Sequence, residues 1–389
     1  MGLRAFRTAC FARWAAVRRR LPHGLQDALT HLPTSIVDST PVLCADRGWA
    51  CAPIGLGLHR SLPRVAPDLG AIGAVLAGKA GLCPPWPLFA AEIPDGRVLG
   101  GACTAVAPGG VVLADVSPHH HVPLERHRAL VNSLWAPPPR VLKGSSALVG
   151  ASGHRNYYHW LVDMVPRIEL LRAGGHGDRV DRWIVPSTPL RAAERVLELC
   201  GVDPARIFWH GRGAHVRCER LLVTSAPAPL GGATARSVAF LRDRCLARGG
   251  AGARSAGRRL FLARNGTRRV ANMDAIAPVL RRHGIEVVSC DGRSFDDQVS
   301  LFSSARLVIG VHGAGLTNAI FMPEGSSLVE VVPPWYPVAC YLVMASEAGL
   351  RYRAVPGEAA GAAAGPHDDV AIDPDALDAQ LKCVVPGSV

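Results

Sequence analysis

The 11 cysteines of this chain include no C-x-x-C pair, and they are scattered and odd in number. That pattern argues against a disulfide framework or a structural zinc site and suits a reducing cytoplasm. An apolar run of about 18 residues is also missing. The longest candidate, residues 331–346, is broken by Pro333, Pro334 and Pro337, so no spanning helix is expected. In Met1–Arg20 the apolar residues Phe6, Phe11 and Trp14 are interrupted by Arg4, Arg7 and Arg13. The segment therefore lacks the unbroken core of a signal peptide. No Gly-x-Ser-x-Gly elbow, Walker loop or His-Glu-x-x-His occurs, which removes the best-marked hydrolase, NTPase and metalloprotease classes. Zinc-finger spacings, RNP-like aromatic runs and compact basic repeats are lacking too, so nucleic acid is not an expected partner.

What is present describes a globular chain. It has 389 residues, 49% of them hydrophobic and 19% charged, enough for two or three domains. A net charge of +12 rests on 43 Lys+Arg, mostly arginine. Phosphorylated substrates or an anionic membrane face would suit that charge, and a GC-rich genome alone would also produce it. The basic segment 1–20 has two readings, a frayed terminus or a peripheral contact with an anionic leaflet. The expected location is cytoplasmic, with the periphery of the inner membrane as the variant of the second reading.

Residues 1–140 are rich in Pro and Gly, with short strand-like runs at 98–99 and 111–114 and no long helix between 32 and 122. From residue 147 strands and helices alternate. Strands are expected at 147–150, 183–186, 207–209 and 221–224, and helices at 158–173, 189–200 and 235–247. A second block has strands at 260–263, 286–289, 307–311 and 328–332, and helices at 273–283, 295–305 and 316–321. Ser294 with Asp297 fits a capping box. This alternation predicts an α/β protein of two doubly wound, Rossmann-like domains facing across a cleft, with ligands at the carboxyl ends of the strands. The expected divisions are a strand- and loop-rich extension (1–140), a first Rossmann-like domain (141–232), a second Rossmann-like domain (233–358), and a linker and tail (359–389). A last helix, 374–383, is expected to pack back across the hinge.

Three clusters carry chemistry. The first is the run from Leu307 to Met322, where an apolar strand enters His312-Gly313-Ala314-Gly315 and a helix follows from Leu316. Strand, glycine turn and helix N-terminus aim backbone N–H groups and a positive dipole end at one spot, which suits phosphate. Thr317 and Asn318 add polar side chains. A ligand-free tight turn is the plain alternative. The second is Asn156-Tyr-Tyr-His-Trp-Leu-Val-Asp163 with Arg167, where His159 and Asp163 stand four apart on one helix face and could deprotonate a hydroxyl. Tyr158 lies beside them, and Arg167 could balance phosphate charge. The third is the loop from Arg264 to Asn272, in which Arg264, Arg268 and Arg269 offer forked donors to a diphosphate. Asn272 fits best as an N-cap. Glu330, late in its strand, could accept from ribose hydroxyls. The run Pro118-His-His-His-Val122 reads as a surface loop, because three consecutive histidines cannot all face one ion. No Asp-x-Asp metal motif is expected in the chain, so arginines would take the place of a metal beside a leaving diphosphate.

At these residues the chain resembles glycosyltransferase family 61. The matching motifs are Asn156 through Arg167, Arg264 through Asn272, Phe295-Asp-Asp-Gln-Val-Ser-Leu-Phe302, and Ile309 through Glu330. The resemblance implies a GT-B-like fold and an inverting, metal-independent transfer from a nucleotide sugar, often UDP-xylose or UDP-N-acetylglucosamine, to a glycan acceptor in surface polysaccharide synthesis. It also implies that the extension (1–140) and the first domain (141–232) form an acceptor lobe and that the second (233–358) is a nucleotide-sugar domain. It implies no cofactor. On that reading Asp163 is the expected base, with His159 as alternative or orienting partner. The loop arginines and Gly313–Asn318 hold the diphosphate, and Glu330 holds the ribose. Two other classes stay open. A non-catalytic binding protein in a polysaccharide assembly would be expected to lose the acid–base pair. A dinucleotide oxidoreductase would need a complete Gly-x-Gly-x-x-Gly near its N-terminus.

Overall fold

The computed structural model describes residues 32–59, 70–80, 85–119, 123–131, 136–228, 232–248, 257–361 and 365–385. Residues 1–20, His120 and His121 of the histidine run, the break at 229–231 and the loop 249–256 lie outside them. The protein is α/β, with two sheets. Its compact units draw on Met1–Gly57 with Pro85–Gly231, and on Leu58–Pro84 with Gly232–Val389.

The first unit contains β1 (Ser35–Val37), β2 (Cys51–Gly57), β3 (Trp86–Pro94), β4 (Arg97–Leu99), β5 (Thr104–Ala107), β6 (Val111–Leu113), β7 (Arg140–Leu148), β8 (Arg182–Pro186), β9 (Ile207–His210) and β10 (His215–Thr224). They form one ten-stranded sheet in the order β1-β6-β5-β4-β10-β7-β8-β9, with β3 beside β10 and β2 beside β3. Only part of it is doubly wound. β10, β7, β8 and β9 are parallel neighbours, whereas β3 and β4 run antiparallel along β10, and β5 and β6 continue antiparallel. The strands expected from the alternating block, β7 to β10, are the parallel ones, and the antiparallel strands come from the extension before residue 140 for a local reason. Gly100 opens the turn between β4 and β5, and Gly109 and Gly110 close the one between β5 and β6, all at positive φ. Such turns return the chain at once and make antiparallel neighbours without a crossover helix.

The second unit contains β11 (Arg258–Ala263), β12 (Glu286–Ser289), β13 (Ala305–Val311), β14 (Ser327–Val332), β15 (Arg351–Ala359) and β16 (Val370–Ile372). Their order is β12-β11-β13-β14-β15-β16, parallel except for the last pair. The central strands β13 and β14 read as apolar runs because both faces are covered, whereas the edge strand β12 leaves Val287 exposed. Phe261, Ile309, Val329 and Val331 meet Ile276, Val279 and Leu280 from the helix Met273–Arg282, whose apolar residues recur at helical spacing. The expected helix 295–305 ends at Ser303, since Ala305 already begins β13.

Two expectations for the tail change. The helix Pro374–Val384 packs on the second unit's own sheet, burying Leu377 and Leu381 in that core. Asp373-Pro-Asp375 does have the Asp-x-Asp spelling, but Asp373 is a helix cap whose carboxylate accepts from the Asp375 N–H at 3.0 Å. Between residues 32 and 122, where no long helix is expected, the chain forms the helices Thr40–Arg47, of 8 residues, and Gly70–Lys79, of 10.

Candidate active site

In each unit some of the residues singled out by sequence sit where the strand order reverses. In the second sheet β11 is followed on one side by β12 and on the other by β13. The carboxyl ends of β11 and β13 therefore flank the crevice in which open α/β sheets bind ligands. Arg264 follows β11 directly and His312 follows β13.

Arg264 and Gly313 meet there. A Cβ at residue 313 would lie 1.5 Å from Nη1 of Arg264, so the guanidinium occupies the volume a side chain would need. Gly313 has φ 172, which any residue can adopt, so space and not backbone freedom requires glycine. Arg264 Nε donates to the Thr267 carbonyl at 2.8 Å, which fixes the head group. Burial, then the charge of Arg268, lowers its pKa from the ordinary arginine value. The following helix is 3₁₀ over Ala314–Phe321, tighter than the α-helix expected, and Tyr341 Oη donates to the Gly313 carbonyl at 2.7 Å. Ala314 and Gly315 are half-buried at its start. Leu316, Thr317 and Asn318 are fully buried, and the Asn318 amide donates to Gln298 at 2.8 Å.

Glu330 does not stand ready for ribose. It is fully buried, with Oε1 2.5 Å from His312 Nδ1 and Oε2 accepting from Tyr352 Oη at 2.5 Å. A carboxylate on Nδ1 fixes the tautomer and directs Nε2 away from it. Tyr336 and Tyr341 confine the His312 ring edge-on, with centroids at 5.3 and 5.1 Å. Glu330 is thus a positioning residue for His312.

The other two arginines and Asn272 are tied to the tail. Arg268, at φ 55, donates from Nη1 to the Pro366 carbonyl at 2.6 Å and lies over the Tyr336 ring. Arg269 pairs with Asp369 at 2.8 Å. Asn272 occupies the N-cap position, but its side chain makes no cap bond. Its Nδ2 donates to the Ile372 carbonyl at 2.8 Å, and its Oδ1 accepts from the Ile372 N–H at 3.0 Å.

In the first sheet the reversal lies between β7 and β10. The expected long helix beginning at 158 is in three parts: Tyr157–His159, a π turn at Trp160–Met164, and Arg167–Ala173. Pro166 has no N–H for the carbonyl four residues back, so the regular ladder stops, and Val165 N–H reaches the Trp160 carbonyl, five residues back, at 3.1 Å. Asn156 caps the start, accepting from Tyr158 N–H at 2.9 Å. Tyr158 is buried, edge-on to the His159 ring. His159 Nδ1 lies 2.6 Å from Asp163 Oδ2; the His159 side chain is 31% exposed and that of Asp163 8%. Burial lowers the His159 pKa, but the hydrogen bond and charge of Asp163 outweigh it and leave the pKa raised. Of the two, the histidine is the more exposed. The histidine faces out, and the carboxylate stands behind it.

Arg167 cannot serve a phosphate. It is wholly buried, with Nε donating to the Asp163 carbonyl at 3.1 Å and Nη1 to the Thr224 carbonyl at 3.3 Å, and burial brings its pKa to about 10. It clamps the π turn to the end of β10. Gly153 heads this stretch of sequence, and a Cβ there would press on the His159 ring at 3.0 Å. No local spacing marks Tyr341 and Tyr352. Among the described residues no group of three or more His, Cys, Asp or Glu is placed to hold a metal ion, and no helix is long and apolar enough to cross a membrane.

Residues 157–329 match the glycosyltransferase 61 family. The matched region takes in the His159–Asp163 pair, the arginine loop and the Gly313 turn, and it stops one residue before Glu330. The chain is 35% identical over 104 residues to the alpha-1,3-arabinosyltransferase XAT3 of Oryza sativa subsp. japonica, covering 25% of this chain and 18% of that protein. It is 34% identical over 100 residues to the beta-1,2-xylosyltransferase XAX1 of the same source, covering 24% and 18%. Against the EGF domain-specific O-linked N-acetylglucosamine transferase of Drosophila melanogaster it is 32% identical over 89 residues, covering 22% and 17%. The chain thus spans less than a fifth of the length of these relatives.

Proposed function

We propose that this chain is an inverting, metal-independent glycosyltransferase that moves a sugar from a UDP-linked donor to a hydroxyl of a glycan in surface polysaccharide synthesis. The proposal keeps the GT-B-like reading of the fold, with acceptor chemistry on the first unit and donor binding on the second. The observation that carries it is the His159–Asp163 pair. With Nδ1 held by the carboxylate, Nε2 of a neutral His159 can take the proton of an acceptor hydroxyl as its oxygen attacks the anomeric carbon. The nucleotide diphosphate leaves from the opposite face, so the configuration inverts.

Arg264 and the backbone N–H groups after Gly313 supply the positive field for that leaving group. His312, aimed by Glu330, donates or accepts at the phosphate or the sugar through Nε2. These fixed donors take the part a divalent cation plays in metal-dependent transferases. The names of the relatives include xylosyl-, arabinosyl- and N-acetylglucosaminyl-transfer, and these sugars define the donors to try.

The test incubates the full chain with UDP-xylose, UDP-arabinose or UDP-N-acetylglucosamine and oligosaccharide acceptors, with and without EDTA, and follows UDP release and product mass. Transfer that EDTA leaves unchanged and that His159→Ala lowers at least about 100-fold is expected. Transfer retained in that variant, or transfer that EDTA abolishes, overturns the mechanism.

A further inference from the structure

A cavity of about 380 Å³ lies beyond the carboxyl ends of β8 and β9 and belongs to none of the clusters above. Ser187, Thr188, Arg191, Glu194 and Trp209 are among the residues that line it. Its volume is near the lower end of the roughly 300–1,000 Å³ typical of small-molecule sites, room for one or two sugar rings. Trp209 is 40% exposed and is the one aromatic residue among the exposed large hydrophobics of the described chain. An indole left in water at a cavity wall costs hydrophobic free energy that a flat apolar ligand face would recover. A pyranose has such a face, made of its axial C–H bonds, and its hydroxyls require hydrogen-bonding groups around the rim. Arg191, Glu194, Ser187 and Thr188 provide donors and acceptors there.

The cavity is also joined to the acid–base pair. Thr188 Oγ1 donates to the His154 carbonyl at 2.9 Å. The neighbouring Gly153 is packed so closely on His159 that a Cβ would meet its ring. One wall of the cavity therefore fixes the loop against which the base rests. Thr188 follows β8, His154 follows β7, and both belong to the parallel part of the sheet.

We infer that this cavity is the acceptor subsite, in which a sugar ring of the glycan stacks on Trp209. The inference rests on the transferase reading above. Its test uses the full chain labelled with 5-fluorotryptophan, the Trp209 ¹⁹F resonance being the one of eight that Trp209→Phe removes. Xylotetraose, cellotetraose and chitotetraose are titrated at millimolar concentration, and UDP is added to parallel samples in thermal melts. A saturable shift of the Trp209 resonance by at least one oligosaccharide is expected. Trp209→Ala should weaken that sugar's binding about tenfold or more, while Trp209→Phe keeps it within about threefold. The melting shift given by UDP should stay the same in all three proteins. A Trp209 resonance that none of the three sugars moves, or equal sugar binding by Trp209→Ala, overturns the subsite. If UDP fails to stabilise the wild-type chain while Trp209 responds to sugar, the sugar site stands and the transferase reading falls.

Discussion

The guanidinium of Arg264 occupies the space that any side chain at residue 313 would take, 1.5 Å from where its Cβ would lie. Gly313→Ala must therefore displace Arg264, which comes from the neighbouring strand end. A misplacement of about 1 Å can cost on the order of 100-fold in a positioned site, so UDP affinity should fall at least about tenfold. Calorimetric titration checks this. Arg264→Ala should cost a similar amount, and the double variant no more than the larger single loss, because both changes remove the same contact.

The His159–Asp163 pair makes activity and stability respond to pH in opposite directions. The base must be neutral, and its pKa is raised, so kcat/KM should climb as pH rises through that raised value. A histidine with a raised folded pKa stabilises the fold fully below its unfolded value, and this contribution is lost as pH rises through the folded one. In Asp163→Asn the carboxylate's opposing effect is gone and burial is left to lower the pKa. The acid limb of the rate profile should then move to lower pH, and kcat/KM should fall about 100-fold as the ring loses its orienting partner. Steady-state rates across a pH series test both parts.

Tyr352 tests the role given to Glu330. Tyr352→Phe removes the donor to a fully buried carboxylate oxygen and should cost about 1–3 kcal/mol of stability in urea denaturation. If Glu330 instead held ribose, Glu330→Gln would weaken UDP and uridine alike. As a positioning residue for His312, it should affect donor turnover more than uridine binding.

The arginines should separate. Arg264 lies at the strand-order reversal, whereas Arg269 is exposed and already paired with Asp369. Loss of a charged hydrogen bond of about 1.5–3 kcal/mol predicts a roughly tenfold or greater drop in UDP affinity for Arg264→Ala. Arg269→Ala should stay within about threefold of wild type. Equal losses would place the tail-bound arginines in the donor site as well.

The second sheet could be read from sequence because its central strands are buried on both faces. Leu260, Ile309 and Val329 therefore lie in apolar runs broken only by helices. The first was harder, since β4 to β6 are only three or four residues long and are separated by glycine turns such as Gly109-Gly110, whose composition resembles a loop. His159 with Asp163 and the Gly313 turn were visible as local spacings. The ties of Arg269 to Asp369 and of Asn272 to Ile372 cross 100 residues, and no local pattern announces them. Arg167 misled for a related reason. A basic residue near a candidate site suggests an anion, and only the packing shows that its donors go to the Asp163 and Thr224 carbonyls.

The most direct measurement is a thermal-melt panel of UDP, UDP-sugars, other nucleotides and NAD(P) on wild type and Gly313→Ala, with and without EDTA. The account predicts stabilisation by UDP and a UDP-sugar that EDTA does not change and that Gly313→Ala largely removes. Stabilisation by NAD(P) instead, dependence on a divalent ion, or an undiminished UDP response in Gly313→Ala would contradict it.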